Sequence, residues 1–178
     1  MKSVINRIKG NFSNIRKNIL VKDIMSKEVV TLQKESSVKK SMILMTKYDF
    51  SSIVIKEDKK PIGIITEKDV MKRVFLKDLD PGKTKLQEVM TKSLKTASPN
   101  TSILKASNKL KQHHIKKLIV VDRKGNLVGI LSQTDIIESM NRIYNSYKNL
   151  LWNPWFYFLL FILISILFIV EILIFQLK

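Results

Sequence analysis

The stretch GIITEKD at residues 63–69 recurs as GILSQTD at residues 129–135, 66 positions further along the chain. In both copies a glycine opens a short apolar run, which is followed by a hydroxyl residue and, three positions later, by an aspartate. A short apolar run favours a buried strand, and Thr or Ser followed by an acid three residues on is typical of a helix N-terminus. The stretch therefore predicts, twice, a strand that leads directly into a helix.

The repetition extends upstream of this stretch. Residues 53–55 (IVI) match residues 118–120 (LIV), and residues 23–25 (DIM) match residues 88–90 (EVM), each pair at an offset of 65. One residue is inserted in the turn between these matches and the quoted stretch, which accounts for the change of offset to 66. Units of about 60 residues bury little surface alone, so the two are expected to pack together.

The apolar patterns and capping residues predict the same elements in each unit. A β-rich run covers residues 29–32, Ser36-Ser37 offers an N-cap for a helix from Val38, and two strands precede a helix that starts at Thr66. In the second unit the cap is Thr101-Ser102, the two strands flank a hairpin signal at Lys124-Gly125-Asn126, and the last helix starts at Ser132. The order is strand, helix, strand, strand, helix, twice, which is an α+β fold.

This order, the DIM-like opening and the closing G-h-h-T/S-x-x-D together resemble the cystathionine-β-synthase (CBS) domain family. The resemblance covers about residues 20–145 and implies two CBS domains, at 21–80 and 86–145, that form a tandem pair called a Bateman module. One departure is Ile119, which stands where the family often has proline.

The paired hydroxyl and carboxylate residues are the candidate binding site. Thr66 and Ser132 stand at predicted helix N-termini, where free N–H groups and the helix dipole favour an anion such as phosphate. Asp69 and Asp135 follow in the first helical turn, and a carboxylate can accept hydrogen bonds from both hydroxyls of a ribose. The resemblance implies an adenosine-containing ligand here, AMP, ADP, ATP or S-adenosylmethionine, as a regulatory ligand and not as a required cofactor.

A second interpretation of the same residues is structural, because Thr-x-x-Asp and Ser-x-x-Asp also fit a capping box that only stabilises the helix. Lys116 and Lys117 occupy a position where members of the family often carry a basic side chain that faces the phosphates; a solvated edge is the alternative. The adjacent His113 and His114 would point about 100° apart on a helix and make a poor metal-chelating pair.

The C-terminal residues 155–175 read WFYFLLFILISILFIVEILIF, with Ser165 and Glu171 as the polar members. A helix of this length reaches about 31 Å, close to the thickness of a hydrocarbon core. The pattern predicts one transmembrane helix over residues 153–177.

The charge distribution predicts the orientation of that helix. Arg142 and Lys148 precede the apolar run, whereas only Lys178 follows it. Since positive residues favour the cytoplasmic side, we expect a single-pass, tail-anchored protein of the cell membrane with its N-terminal domains in the cytoplasm.

The remaining composition limits the possible functions. The formal net charge is +17 and there is no cysteine, which excludes disulfides and cysteine-based redox or metal chemistry. Residues 1–20 form a basic segment with apolar residues at helical spacing, which suggests either a membrane-surface segment or a helix packed on the pair. Nucleic acid is not an expected partner, because no groove-reading helix or stacking aromatic platform is apparent.

No catalytic constellation or metal site is apparent in the sequence, so an enzyme is not expected. The main hypothesis is a membrane-anchored regulatory CBS pair that senses an adenosine-containing ligand and signals to a membrane or cytosolic effector protein, with a homodimer implied by the resemblance. The alternative is a ligand-free scaffold or regulatory subunit that recruits or controls a membrane transporter.

Overall fold

The computed structural model describes residues 19–151 and 154–176 of the chain. The basic segment predicted for residues 1–20 lies outside this part except for its last two residues. The chain divides into two compact units, Met1–Ile136 and Ile137–Lys178. Both repeats up to the start of the last repeat helix belong to the first unit.

The element order predicted from the sequence is confirmed in both repeats, and each repeat also begins with a short helix that was not predicted. The elements of the first repeat are α1 (Val21–Ile24), β1 (Thr31–Leu32), α2 (Val38–Tyr48), β2 (Ser52–Glu57), β3 (Lys60–Thr66), α3 (Glu67–Arg73) and a 3-10 turn (Phe75–Lys77). The elements of the second repeat are α4 (Leu86–Val89), β4 (Thr96–Ala97), α5 (Ile103–Gln112), β5 (Lys117–Val121), β6 (Leu127–Ser132) and α6 (Gln133–Leu151). The first strand is shorter than the run 29–32 that the sequence suggested.

Each repeat forms its own three-stranded sheet. The middle strand pairs parallel with the short first strand and antiparallel with the third, so that Val54 of β2 lies opposite both Thr31 and Ile64. The two hairpin turns contain a residue in the left-handed region, Asp58 with φ 53° and Gly125 with φ 82°. These are residue types that accept this conformation at low cost, which is why the chain reverses at these points.

The first long helix of each repeat begins as its sequence predicts. Ser37 caps α2 by accepting a hydrogen bond from the Lys40 N–H, and Ser102 caps α5 by accepting one from the Lys105 N–H. The residues buried by α5 recur every three or four positions, at Ile103, Ala106 and Leu110. This spacing holds one helical face against the sheet.

The two repeats exchange their opening segments. The Val21 N–H donates to the Thr101 carbonyl in the second repeat, and Ser26 forms an antiparallel bridge with Ile130 of β6. In the reverse direction the Leu86 N–H donates to the Ser36 carbonyl in the first repeat, and Thr91 forms the matching bridge with Ile64 of β3. The contacts obey the sequence offset, so an approximate twofold axis relates the repeats.

Close packing accompanies this exchange. The hydrophobic core of the first repeat includes Leu86, Val89 and Met90 from the second. A methyl group added at Gly63 would come within 2.3 Å of the Met90 sulfur, and one added at Gly129 within 2.8 Å of the Met25 sulfur. The exchanged methionines therefore fill the space that a side chain would need at the two glycines that open the repeated stretch. The domain limits 21–80 and 86–145 stay a prediction, and packing crosses them.

The second unit contains the helix α7 (Pro154–Gln176). Residues Tyr157–Ile174 have a mean hydropathy of 2.9, and none of this window is buried. This helix is long and apolar enough to cross a membrane; the transmembrane span over residues 153–177 stays a prediction.

Candidate functional site

The four residues of the two repeated motifs lie where a strand passes into a helix. Thr66 ends β3 and caps α3: its hydroxyl oxygen accepts from the Asp69 N–H at 3.1 Å, and the Thr66 N–H donates to the Asp69 carboxylate at 3.0 Å. Ser132 ends β6, and its hydroxyl oxygen accepts from the Asp135 N–H at 3.1 Å while its own N–H donates to the Asp135 carboxylate at 2.6 Å. Both motifs thus form the reciprocal capping pattern that the sequence offered as one interpretation.

The two carboxylates differ in the number of their hydrogen-bond and ion-pair partners. In Asp69 one oxygen also accepts from the Thr66 hydroxyl at 2.7 Å, and the other pairs with the Arg73 guanidinium at 3.1 Å. In Asp135 only one oxygen has a hydrogen-bond partner among the described residues, the Ser132 N–H. The second repeat therefore retains a carboxylate oxygen that a ligand hydroxyl can approach.

Arg73 holds the second oxygen of the Asp69 carboxylate and also contacts the other repeat. Its guanidinium donates to the Val89 carbonyl at 2.7 Å and to the Thr91 hydroxyl at 3.0 Å, and so connects α3 with the exchanged helix α4. The equivalent residue of the second repeat, 66 positions later, is Ser139, which is buried. A serine is too short to act in the same way.

Lys117 connects the two repeats at the approximate twofold axis. Its ammonium donates to the Ser52 hydroxyl at 3.0 Å. These residues are equivalent, 65 positions apart, and each begins a strand whose partner residue is the motif hydroxyl: Ser52 lies opposite Thr66, and Lys117 opposite Ser132. The four residues form a row from one strand–helix junction to the other.

The environment of Lys117 lowers the pKa of its side chain. Burial lowers the pKa of the Lys117 ammonium, and the nearby carboxylates of Asp135 and Glu67 oppose this effect. Lys116, in contrast, is exposed, and its carbonyl accepts from the Gln133 N–H at the start of α6. The two lysines named from the sequence thus differ, because one is half-buried at the axis and the other faces solvent.

Sequence reasoning matched Ser51 and Ser52 with Lys116 and Lys117 but missed the contact between Ser52 and Lys117, and it missed Glu67 and Arg73 as neighbours of the site. The sequence offset of 65 between Ser52 and Lys117 could have indicated this contact, because equivalent residues that lie near a twofold axis are close to each other. Arg73 lies four residues after Asp69, the spacing of a helical ion pair. Among the described residues no cluster of His, Asp or Glu forms a group able to hold a metal ion.

A family model for the CBS domain matches residues 21–76 and, a second time, residues 86–142. The chain belongs to the CBS domain family. An uncharacterized protein of Methanocaldococcus jannaschii is 28% identical over 172 residues, a match that covers 79% of this CBS protein and 99% of the relative. The crystal structure of an uncharacterized conserved protein from Pyrococcus horikoshii is similar with a TM-score of 0.64 and 28% identity, over 70% of this chain and 93% of that one.

Some relatives of this CBS pair are enzymes. A homoserine O-acetyltransferase of Methanosalsum zhilinae is 32% identical over 133 residues, which cover 74% of this chain but 25% of the enzyme. The similarity therefore concerns one part of that enzyme. The comparisons therefore show a tandem CBS pair of a regulatory protein family.

Proposed function

We propose that this CBS pair is a regulatory module that binds an adenosine-containing ligand, AMP, ADP, ATP or S-adenosylmethionine, chiefly at the junction formed by Ser132 and Asp135. The observation that carries this proposal is the carboxylate oxygen of Asp135 that remains available beside Lys117. The matching carboxylate of Asp69 is already shared between Thr66 and Arg73. The two sites therefore have unequal affinities.

Each residue of the second junction has a role that its chemistry supports. Asp135 accepts hydrogen bonds from the ribose hydroxyls, since a carboxylate offers two acceptor oxygens. The Ser132 hydroxyl and the N-terminus of α6 face a phosphate, and the exposed Lys116 adds a mobile positive charge. Lys117 keeps its contact with Ser52 and contributes charge from the axis. At the first junction Thr66 and Asp69 bind the same kind of ligand more weakly.

The remaining parts of the proposal concern location and partners. Helix α7 anchors the protein in the cell membrane as a single span, with the CBS pair on the cytoplasmic side. The large exposed apolar side chains of residues 19–136 are concentrated on the first repeat, and they support a homodimer or an effector contact there: Ile43, Tyr48, Phe50, Met71, Phe75, Leu76 and Leu79. Ligand binding beside the axis would alter the surface that this partner contacts.

One observation favours the alternative function, a ligand-free scaffold that recruits or controls a membrane transporter. Both motif aspartates already cap their helices, so the fold needs no ligand to satisfy these groups. The two functions are separated by whether any nucleotide stabilises the protein.

The first test is a thermal-shift panel of AMP, ADP, ATP and S-adenosylmethionine on the detergent-solubilised chain. Under the main proposal at least one ligand raises the melting temperature, because a ligand that binds only the folded state stabilises it. If none of the four raises it and calorimetry detects no binding, the scaffold function stands instead.

The second test compares matched variants by calorimetry. A hydrogen bond to a charged group contributes about 1.5–3 kcal/mol, so Asp135→Asn should weaken binding by about ten- to a hundredfold, and Asp69→Asn should weaken it much less. The double variant Lys116→Ala with Lys117→Ala should weaken AMP and ATP more than adenosine, with a difference that shrinks at high salt. Equal losses for adenosine and ATP in that variant would reject the phosphate role.

A further inference from the structure

A cleft of about 320 Å³ lies on the second repeat, away from the Ser132 junction. It is bounded by β4, by one face of α5 and by the end of β5 with the turn that follows. The sides of the cleft carry three basic side chains, Lys105, Lys109 and Arg123. Val121 provides apolar surface, and the buried Ala97 and Ala106 lie behind it.

The first repeat provides an internal comparison, because the residues 65 positions earlier occupy the equivalent place. Leu32 stands at the position of Ala97, where it is buried in the core, and Leu44 stands at the position of Lys109, where it packs against that core. Asp58 is the equivalent of Arg123. The second repeat has thus replaced two leucines and an aspartate by a small residue and two cations.

The positive charge of the cleft is opposed by one carboxylate, that of Asp122, which is engaged in the turn. It accepts from the N–H groups of Lys124 and Asn126 at 2.8 Å and from the Asn126 side-chain amide at 2.9 Å. These hydrogen bonds from Asn126 hold the pKa of Asp122 below its usual range. The Asp122 acceptors therefore serve the turn, and its charge offsets one of the three cations, so the lining of the cleft keeps an excess of positive charge.

The donors of the cleft are held in place by the backbone. The Lys109 ammonium donates to the Thr96 carbonyl at 2.7 Å, which fixes its position and leaves two further N–H groups. The hydroxyl oxygens of Thr101 and Ser98 accept from the N–H groups of Ser98 and Asn100. Since these oxygens act as acceptors, their own hydrogens are available to donate to a ligand.

We propose that this cleft binds the phosphate monoester group of a small molecule, between Lys105, Lys109 and Arg123, with the hydroxyls of Ser98 and Thr101 as further donors. The apolar surface at the half-buried Val121 accepts the organic part of the ligand, for which a volume of about 320 Å³ leaves room beside the phosphate. The cleft is separate from the nucleotide junction and gives the second repeat a second anionic ligand.

The test is a lysine-acetylation footprint of the full chain in neutral detergent, with inorganic phosphate compared with chloride at equal ionic strength. Lys105 and its equivalent in the first repeat, Lys40, are both exposed and report on the two matched positions in one molecule. Phosphate should slow acetylation of Lys105 by about fivefold or more through charge-assisted hydrogen bonds, and should change Lys40 by less than about twofold.

Two variants restore the residues of the first repeat and should each abolish the protection of Lys105. Ala97→Leu fills the cleft, and Arg123→Asp, which is on the surface, remains informative if the first variant does not fold. Asp135→Asn, which impairs the proposed nucleotide junction, should leave the protection intact, so the two proposals fail separately.

Two further arms identify the source of the phosphate. Protection by a soluble hexose phosphate assigns the cleft to a free metabolite, and protection only by mixed detergent micelles that contain phosphatidic acid assigns it to a lipid headgroup. The proposal is overturned if Lys105 and Lys40 are protected equally, if protection survives Arg123→Asp, or if none of the three probes protects Lys105.

Discussion

At the scale of single residues, the hydroxyl–aspartate motif has different partners in the two repeats. In the first repeat the carboxylate of Asp69 holds Arg73, which in turn holds the exchanged helix α4. In the second repeat the arginine position is a buried serine, and Asp135 keeps an oxygen free among the described residues. The same four-residue pattern therefore serves mainly stability in one copy and leaves room for recognition in the other.

Arg73→Ala should destabilise the CBS pair, because the carbonyl of the buried residue Val89 and the Asp69 carboxylate both lose a charged donor. The expected loss is about 1.5–3 kcal/mol of unfolding free energy. Urea denaturation of the detergent-solubilised chain measures it. The neighbouring Lys72→Ala is the control, because Lys72 is exposed and should change the unfolding free energy little. Equal stability of the two variants would contradict the role given to Arg73.

Lys117 predicts a pH dependence of stability. Burial lowers its pKa in the folded chain below the ordinary 10.5, so between the two values the unfolded chain binds more protons and stability rises with pH. In Lys117→Met this rise should be absent, and the stability of the parent relative to the variant should increase as the pH rises towards the ordinary pKa of lysine. Thermal unfolding across this range provides the measurement. Lys116→Met, at an exposed position, should keep the slope of the parent; an identical slope in Lys117→Met would count against the buried charge.

At the scale of elements, the short helices α1 and α4 decide how the repeats hold together. Each packs on the sheet of the other repeat, over the glycine that opens the repeated stretch. The two glycines do not face the same obstacles. The three atoms nearest to a methyl group at Gly63 all belong to the Met90 side chain, whereas a methyl group at Gly129 also comes within 2.9 Å of the Ser26 carbonyl oxygen.

Gly129→Ala should therefore destabilise the pair more than Gly63→Ala. A methionine side chain can change rotamer, but a backbone carbonyl that is bridged to Ile130 cannot move without loss of hydrogen bonds. Overpacking of this kind costs about 1–3 kcal/mol, and we expect Gly129→Ala to lie at the upper end of that range. Parallel denaturation curves compare the two substitutions directly, and a larger effect of Gly63→Ala would show that the methionine contact is the more rigid one.

Much of the element order could be predicted from the sequence, but the exchange of the opening helices between the two repeats could not. The strands and long helices follow from apolar periodicity and from the caps Ser37 and Ser102, which are local signals. The helices α1 and α4 are four residues long, and their place depends on contacts with residues about 50 to 80 positions away. The sequence pattern of a single segment gives no signal for such contacts. For the candidate site, the pattern identified the hydroxyls and carboxylates, but it did not distinguish Asp69 from Asp135.

At the scale of the whole molecule, positive charge is spread along the chain. The net charges are +5 for residues 1–20, +5 for 21–85, +7 for 86–150 and 0 for 151–178. A basic domain attached to a bilayer is attracted by anionic lipids of the cytoplasmic leaflet, which fits the orientation proposed for α7.

This orientation predicts a protection pattern. Protease added to intact cells or spheroplasts should leave residues 1–150 undigested, whereas an epitope tag added after Lys178 should be removed. Immunoblots for both ends of the chain make the comparison, with lysed cells as the control in which both ends are digested. Loss of the CBS pair from unlysed cells, with the C-terminal tag retained, would reverse the assigned topology.

The reciprocal placement of α1 and α4 has an evolutionary consequence. Two separate one-repeat chains that traded their first helices would form an intertwined homodimer with the same contacts, because every bridge of the exchange occurs twice in equivalent positions. Duplication and fusion of a gene for such a subunit would produce the present chain without any new contact between the halves. Once joined, the two copies could diverge independently. An obligate homodimer would have had to make each change in both subunits at once, and the copies now differ at three such positions: Leu32 and Ala97, Leu44 and Lys109, and Arg73 and Ser139.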